Sequence, residues 1–186
     1  MSARAKEGER VKLFVVDSDI IASATEKDDE RAIICRGLLR KLLATLHEVL
    51  LTPSIKKEWE ARYPGYAQAW AVQMSRRGLL KEEPEDPASG LAAEIEALEV
   101  SADVAAIMLK DCHLLEAALI GGKAIFSQDD SAYTHFYDAS VYIERLQSIM
   151  WANPERAEDA CEAWLQPGAR REPGRCIGQR PKRRKS

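Results

Sequence analysis

The segment Val11-Lys12-Leu13-Phe14-Val15-Val16-Asp17-Ser18-Asp19 decides how the rest of the chain is read. A short valine-rich run that stops at Asp17-Ser18-Asp19 has the composition of a buried strand, with capping residues for a helix behind it. The pattern returns at Ala124-Ile125-Phe126-Ser127-Gln128-Asp129-Asp130, after the stop signal Gly121-Gly122. Between the two, Ile33, Ile34, Leu38, Leu42 and Leu46 recur at helical spacing and predict an amphipathic helix over 29–46. Glu48-Val49-Leu50-Leu51 predicts a second strand, and Thr52-Pro53 starts a helix that runs to about Arg62. Tyr63-Pro64-Gly65 breaks that helix, and another follows to Arg77, ended by Gly78. The stretch 81–90 reads as a charged loop, and 91–120 as helix in two or more pieces. A last strand is predicted over 147–151 and a closing helix over 154–164, with Glu155 favourable in its first turn. Alternating strands and helices predict an α/β fold, a mostly parallel sheet with helices on both faces. In such sheets, sites form beyond the carboxyl ends of the strands.

A chain of 186 residues accommodates one domain, assigned to 11–167, with a polar extension at 1–10 and a tail at 168–186. The composition, 46% hydrophobic and 31% charged, provides apolar side chains for a core and suits a soluble globular protein. No apolar run approaches the roughly 20 residues of a membrane span, and Leu13 to Val16 is too short for a signal-peptide core, so no membrane partner is expected. Cys35, Cys112, Cys161 and Cys176 lack metal-type or knot-type spacing and read as reduced thiols of a cytoplasmic protein. Charge is unevenly spread. Residues 170–186 hold 8 of the 27 basic residues and 1 of the 30 acidic ones, which leaves 19 against 29 before them. The tail, rich in Pro and Gly and poor in apolar residues, is expected to be disordered.

The most informative acid is Asp111. It shares a helical face with Val104, Ile107, Met108, Leu115 and Ala118, where an ionised carboxylate costs several kcal/mol unless paired or bound to a cation. The alternative is an exposed Asp that caps a new helix after a break at Lys110. Asp17, Asp19, Asp129 and Asp130 are equally compatible with ordinary helix caps, and Glu58 alone is one charge on a helix that carries Lys56, Lys57 and Glu60. Acids converging from strand ends and helix faces would raise one another's pKa unless a cation sits between them. An oxygen-only set suits Mg²⁺ or Mn²⁺, which can activate water for phosphodiester cleavage. A carboxylate pair for sugar hydrolysis finds no supporting aromatic platform.

These residues resemble the PIN-domain family of metal-dependent nucleases. Val15-Val16-Asp17-Ser18-Asp19 resembles the family's opening strand and first aspartate, and Pro53 to Glu58 its second acidic segment. Lys110 to Ala118 is similar to the helix bearing the third acid, and Phe126-Ser127-Gln128-Asp129-Asp130 to the Thr/Ser-x-Asp segment, over roughly 11–151 in all. The resemblance implies a three-layer α/β/α fold and a divalent-metal endonuclease acting on RNA. Asp17, Glu58, Asp111 and Asp129 would be the catalytic acids holding Mg²⁺ or Mn²⁺, with Asp130 as an added ligand. Ser127 would orient the acids and Ser18 would flank the first. The chain departs from the common pattern at Asp19 and Gln128, and it is longer than the compact toxins of toxin–antitoxin pairs, with added material around Tyr63 to Asp86. A toxin role would bring an antitoxin protein as partner, and a homodimer is the other assembly considered.

Two other readings stay open. A strand followed by Asp-x-Asp also resembles the start of haloacid-dehalogenase-type phosphatases, with Asp17 as nucleophile and Lys123 as phosphate partner. A non-catalytic module with a PIN-like fold could bind RNA or protein. Tyr63, Tyr66 and Trp70 read as core or interface rather than as a base-stacking stripe, and His113 reads as exposed, with Glu116 at the rim. The run Arg180-Pro181-Lys182-Arg183-Arg184-Lys185 is either an RNA tether or a solvated tail.

Overall fold

The structure is a computed structural model that describes residues 10–179. Five short parallel strands form its sheet: β1 (Leu13–Val16), β2 (Glu48–Leu51), β3 (Leu80–Glu82), β4 (Ala124–Phe126) and β5 (Met150–Ala152). Their order is β3-β2-β1-β4-β5, with Phe14 opposite Val49 and Val16 opposite Phe126. The chain builds outward from β1 in one direction and then from β4 in the other. The strand order therefore reverses between β1 and β4, which opens a crevice at their carboxyl ends. Phe14, Val15, Val16 and all of β4 are buried, as expected of strands covered on both faces.

Eight α-helices complete the domain: α1 (Ser18–Ser23), α2 (Glu30–Ala44), α3 (Pro53–Ala61), α4 (Gly65–Arg76), α5 (Leu91–Glu96), α6 (Ala102–Ile120), α7 (Asp130–Ala139) and α8 (Cys161–Leu165). α2 packs with α4 and α8, while α6 packs with α5 and α7 and lies directly on β1 and β4. Helices flank the sheet as the alternation predicts. The caps are chemical as well as positional: Asp29, Thr52, Ser101 and Asp129 each accept a hydrogen bond from a first-turn amide. Pro53 occupies the first turn of α3, where its missing N–H leaves no intrahelical bond unmade.

Several expectations need correction. The buried stripe of α2 is Cys35, Leu38, Leu39 and Leu42, whereas Ile33 is exposed and Leu46 lies past the helix end with φ 57°. The loop expected over 81–90 begins as β3, an edge strand whose Lys81 and Glu82 are solvent-exposed and hide the usual alternation. The last strand starts at Met150, because a 3-10 turn occupies Glu144–Ser148. The closing helix is split at Ala160, whose φ of 39° ends a 3-10 turn and leaves α8 only Cys161–Leu165.

The tail boundary also moves. Residues 168–179 pack on the domain rather than leaving it: Ala169, Cys176 and Ile177 are buried. Arg10 pairs with Arg170, and Cys176 pairs with Met150. The isolated apolar residues Cys176 and Ile177 supply the burial that the basic composition concealed. The expected features at 1–9, and the basic run from Arg180 to Lys185, lie outside the described residues. Among the described residues, no helix is long and apolar enough to cross a membrane, and the four cysteines are buried.

Candidate functional site

Asp17 follows β1, and Ser127 to Asp129 follow β4, so the reversal of strand order sets these side chains against each other. The Ser127 hydroxyl donates to Asp17 Oδ2 at 2.7 Å and accepts from the amide of Asp129 at 3.0 Å. Asp129 in turn caps α7 by accepting from the Ala132 amide at 2.8 Å. From the other side, the Ser18 hydroxyl lies 3.4 Å from Asp17 Oδ1 and 3.2 Å from Glu58 Oε2, spanning the first and second acids. Glu58 is placed by α3, whose Trp59 indole N–H donates to the carbonyl of Val16 at 3.0 Å and ties the helix to the end of β1.

Asp111 lies within α6, where no break occurs at Lys110, so the capping alternative is excluded. Its side chain is buried, with the Lys110 ammonium 3.5 Å from Oδ1. Burial pushes its pKa up to about 6; Lys110 opposes this, and the charges of Asp17 and Asp129 add to it. Asp17 is also held above the ordinary carboxylate range, first by burial, against the Ser127 hydrogen bond that favours its charge, and with repulsion from Glu58 added. The charges of Asp17 and Asp129 thus act on Asp111 across the crevice, and that of Glu58 acts on Asp17.

The two departures from the common motif sit against each other. The Gln128 amide donates to Asp19 Oδ2 at 2.8 Å, while Asp19 Oδ1 is buried without a hydrogen-bond partner among the described residues. Burial first, and then the charge of Asp17, push Asp19 up to about 8. Gln128 is fixed by Ser23, which donates to its Oε1 at 3.2 Å, and by its own Nε2 lying 3.3 Å from Cys35 Sγ. Asp19 is therefore part of the acid cluster, although as a residue between a strand and a helix it reads equally well as a cap.

Asp130, expected as an added metal ligand, is instead held by Arg156, whose Nε is 2.7 Å from Oδ2, and by Asn153 Nδ2 at 3.3 Å. A carboxylate neutralised by a guanidinium is a poor choice for a cation. His113, expected to be exposed, has a side chain only 15% exposed, and its Nε2 is 3.2 Å from Glu58 Oε2, out of line for a hydrogen bond. α3 packs on α6 and brings Glu58 to that face of the helix. Glu116 accepts from the Ser89 hydroxyl at 2.7 Å. Lys123 precedes β4, at the end of the sheet away from Asp17, which leaves the phosphatase reading without its phosphate partner.

Among the described residues, no three His, Cys, Asp or Glu side chains already surround a common point as metal ligands. What fits a hard divalent cation is the donor chemistry: carboxylate oxygens only, three of the carboxyls (Asp17, Asp19 and Asp111) held above their ordinary pKa, and one buried oxygen, Asp19 Oδ1, with no partner among the described residues. Closing three on one ion requires side-chain rotation, for which half-exposed Glu58 has room. A cleft of about 510 Å³ opens beside Asp19 and Gln128, walled by Arg31, Arg62, Tyr63 and Pro64. Tyr63 is thus part buried and part cleft wall, whereas Trp70 is core, its indole N–H donating to the carbonyl of Leu39 at 2.7 Å.

No known protein family, curated protein or solved structure matches this chain. The functional reading rests on the site itself.

Proposed function

We propose that the protein is a divalent-metal-dependent endoribonuclease of PIN-domain type, in which Asp17, Glu58, Asp111 and Asp129 hold Mg²⁺ or Mn²⁺. The observation that carries this reading is the approach of four acids from the end of β1, α3, α6 and the β4–α7 junction at the strand-order reversal, with Ser18 spanning Asp17 and Glu58, Ser127 joining Asp17 to the Asp129 amide, and the charges of Asp17 and Asp129 acting on Asp111. Asp17 and Asp111, held above the ordinary carboxylate range by burial and by the charge of neighbouring acids, form a site that a cation stabilises. When bound, the ion supplies Lewis acidity to a phosphoryl oxygen and makes water acidic enough to attack phosphorus.

The chain's own groups would do the rest. Ser127 fixes Asp17 through Oδ2 and leaves Oδ1 toward Ser18 and Glu58. Lys110, whose side chain is 71% exposed, stands beside Asp111 and can meet a phosphate oxygen. The cleft lined by Arg31, Arg62 and Tyr63 has room for a nucleotide next to the scissile bond, with Arg62 at its rim for a phosphate and the Tyr63 ring for a base. Overall, a water oxygen bonds to phosphorus, one ester P–O bond breaks, and the departing oxygen takes a proton.

The test is cleavage of single-stranded and structured RNA with Mn²⁺ or Mg²⁺, with chelator, and by Asp17→Ala. Metal-dependent products that vanish in Asp17→Ala support the reading. Equal cleavage by wild type and Asp17→Ala contradicts it, and a phospho-aspartate trapped at Asp17 would transfer the site to the phosphatase class.

A further inference from the structure

At the amino end of the same strands the surface changes sign. A cleft of about 680 Å³ lies between the start of β1 and the turn from α6 into β4, and its wall carries Arg10, Lys12, Lys123 and Arg171 beside apolar Leu13 and Ile120. No acid lines it. None of the four cations forms an ion pair among the described residues; the one hydrogen bond that Arg171 makes goes to the carbonyl of Ser148.

Four like charges gathered in one cleft repel one another, and they do so on a body whose overall excess is acidic. The carboxyl end of α6 accounts for only part of this, since a helix end carries about half an elementary charge. The backbone that shapes the cleft is tightly set. A Cβ at Gly122 would stand 2.0 Å from the carbonyl oxygen of Leu13, so only glycine lets the turn lie this close to β1. Immediately after it, Lys123 takes φ 54°.

The cleft also faces the place where the described chain ends. Ile177 donates to the carbonyl of Ile149 and Met150 to that of Lys123, so the chain reaches Gln179 at this same end of the sheet. Beyond it the sequence continues as Arg180-Pro181-Lys182-Arg183-Arg184-Lys185. Cations from three separate parts of the chain, at 10–12, 123 and 171, therefore line this end of the fold. A polymeric phosphate fits such an extended arrangement better than a single small anion, because guanidinium and ammonium groups each take a different phosphate.

We propose that this cleft is a second binding position for the sugar-phosphate backbone of RNA, separated from the acid cluster by the length of the central strands. That length is roughly 13 Å, for the four residues of β1 at about 3.3 Å each. Assigning the anion as RNA rests on the nuclease reading; the presence of a phosphate site does not.

The test is fluorescence anisotropy of a labelled single-stranded RNA on the full chain, in chelator so that nothing is cleaved, as a function of salt. The variant is Lys12→Gln with Lys123→Asn, asparagine being suited to positive φ. The control is Lys56→Gln with Lys81→Gln, which removes equal charge near β3. The cleft variant should bind about tenfold more weakly at physiological salt, with a log–log salt slope shallower by about 1.4, for two phosphate contacts at about 0.7 each. The control should bind as wild type does. An unchanged slope in the cleft variant, or an equal loss in the control, overturns the site. Loss of tripolyphosphate binding with RNA affinity intact overturns the RNA assignment and gives the cleft to small polyphosphates. If Mn²⁺ neither binds nor supports cleavage while the cleft variant still loses RNA, the nuclease reading fails and this one stands. Circular dichroism and thermal midpoint establish that both double variants are folded.

Discussion

The two ends of β1 and β4 carry opposite charge. At the carboxyl end stand Asp17, Asp19, Asp129 and, from neighbouring helices, Glu58 and Asp111; at the amino end stand Lys12, Lys123, Arg10 and Arg171. Helix direction explains why both can exist. In a parallel α/β sheet, helices start where strands end, so α1, α3 and α7 present amino termini to the acids, while α6 finishes beside the cations. Each set lies at the helix ends that favour its sign. The ends differ in burial, however. Asp17, Asp19 and Asp111 are largely withdrawn from water and held above the ordinary carboxylate range, first by burial and then by neighbouring acids, whereas the cations line a cleft open to a ligand. Placement by the fold is therefore common to both ends, while strain from unneutralised charge is concentrated at the acidic one.

Deleting an acid should separate the two ends most clearly. Asp111→Ala should lower metal-dependent RNA cleavage by roughly a hundredfold or more while the far-UV spectrum is unchanged, since it removes a proposed cation ligand and a buried carboxyl. Full activity would mean that the acidic end is only structural. Ser127→Ala comes next. It removes the donor to Asp17 Oδ2 and the acceptor of the Asp129 amide, and should weaken Mn²⁺ binding by about tenfold, measured by titration. Trp59→Phe, which leaves the Val16 carbonyl without its indole donor, should cost about 1–2 kcal/mol in urea unfolding and lower cleavage through the placement of Glu58.

The smallest predicted effect is a pH dependence of metal-free stability. Asp19 and Asp111 have folded pKa values of about 8 and about 6, above the value of 3.8 for an unperturbed aspartate. The folded state therefore binds more protons than the unfolded state between these limits, and stability falls as pH rises from about 4 to about 8. Asp19→Asn should raise the metal-free thermal midpoint at pH 8 by roughly 2–4 °C, corresponding to about 1 kcal/mol, and change it little at pH 4. Saturating Mn²⁺ should cancel the difference. A midpoint that rises with pH in the metal-free wild type would show that the acidic end is not strained.

What the sequence revealed follows from where the signals are local. Val11 to Asp19 and Ala124 to Asp130 announce the two central strands and the acids behind them, because an apolar run that stops at a capping residue is a local event. Asp111 was legible because a charge on an apolar helical face is an anomaly of spacing alone. Asp19 was not. A strand-to-helix junction wants such a residue whatever its role, and only the Gln128 amide, distant in sequence, shows that one of its oxygens is left over. Asp130 misled for the same reason, since its partner Arg156 lies beyond β5. The spacing of His113 from Asp111 turns it to another face of α6, and it meets Glu58 only because α3 packs there. Edge strand β3 and the αL residue Ala160 left no periodic trace.

Calorimetric titration of Mn²⁺ into wild type and Asp111→Asn decides whether the acids at the carboxyl end form a cation site. Wild type should bind, releasing protons as the raised carboxyls ionise, and binding should be lost or greatly weakened in Asp111→Asn. Absence of binding by wild type, or equal binding by the two proteins, would contradict a cation site there.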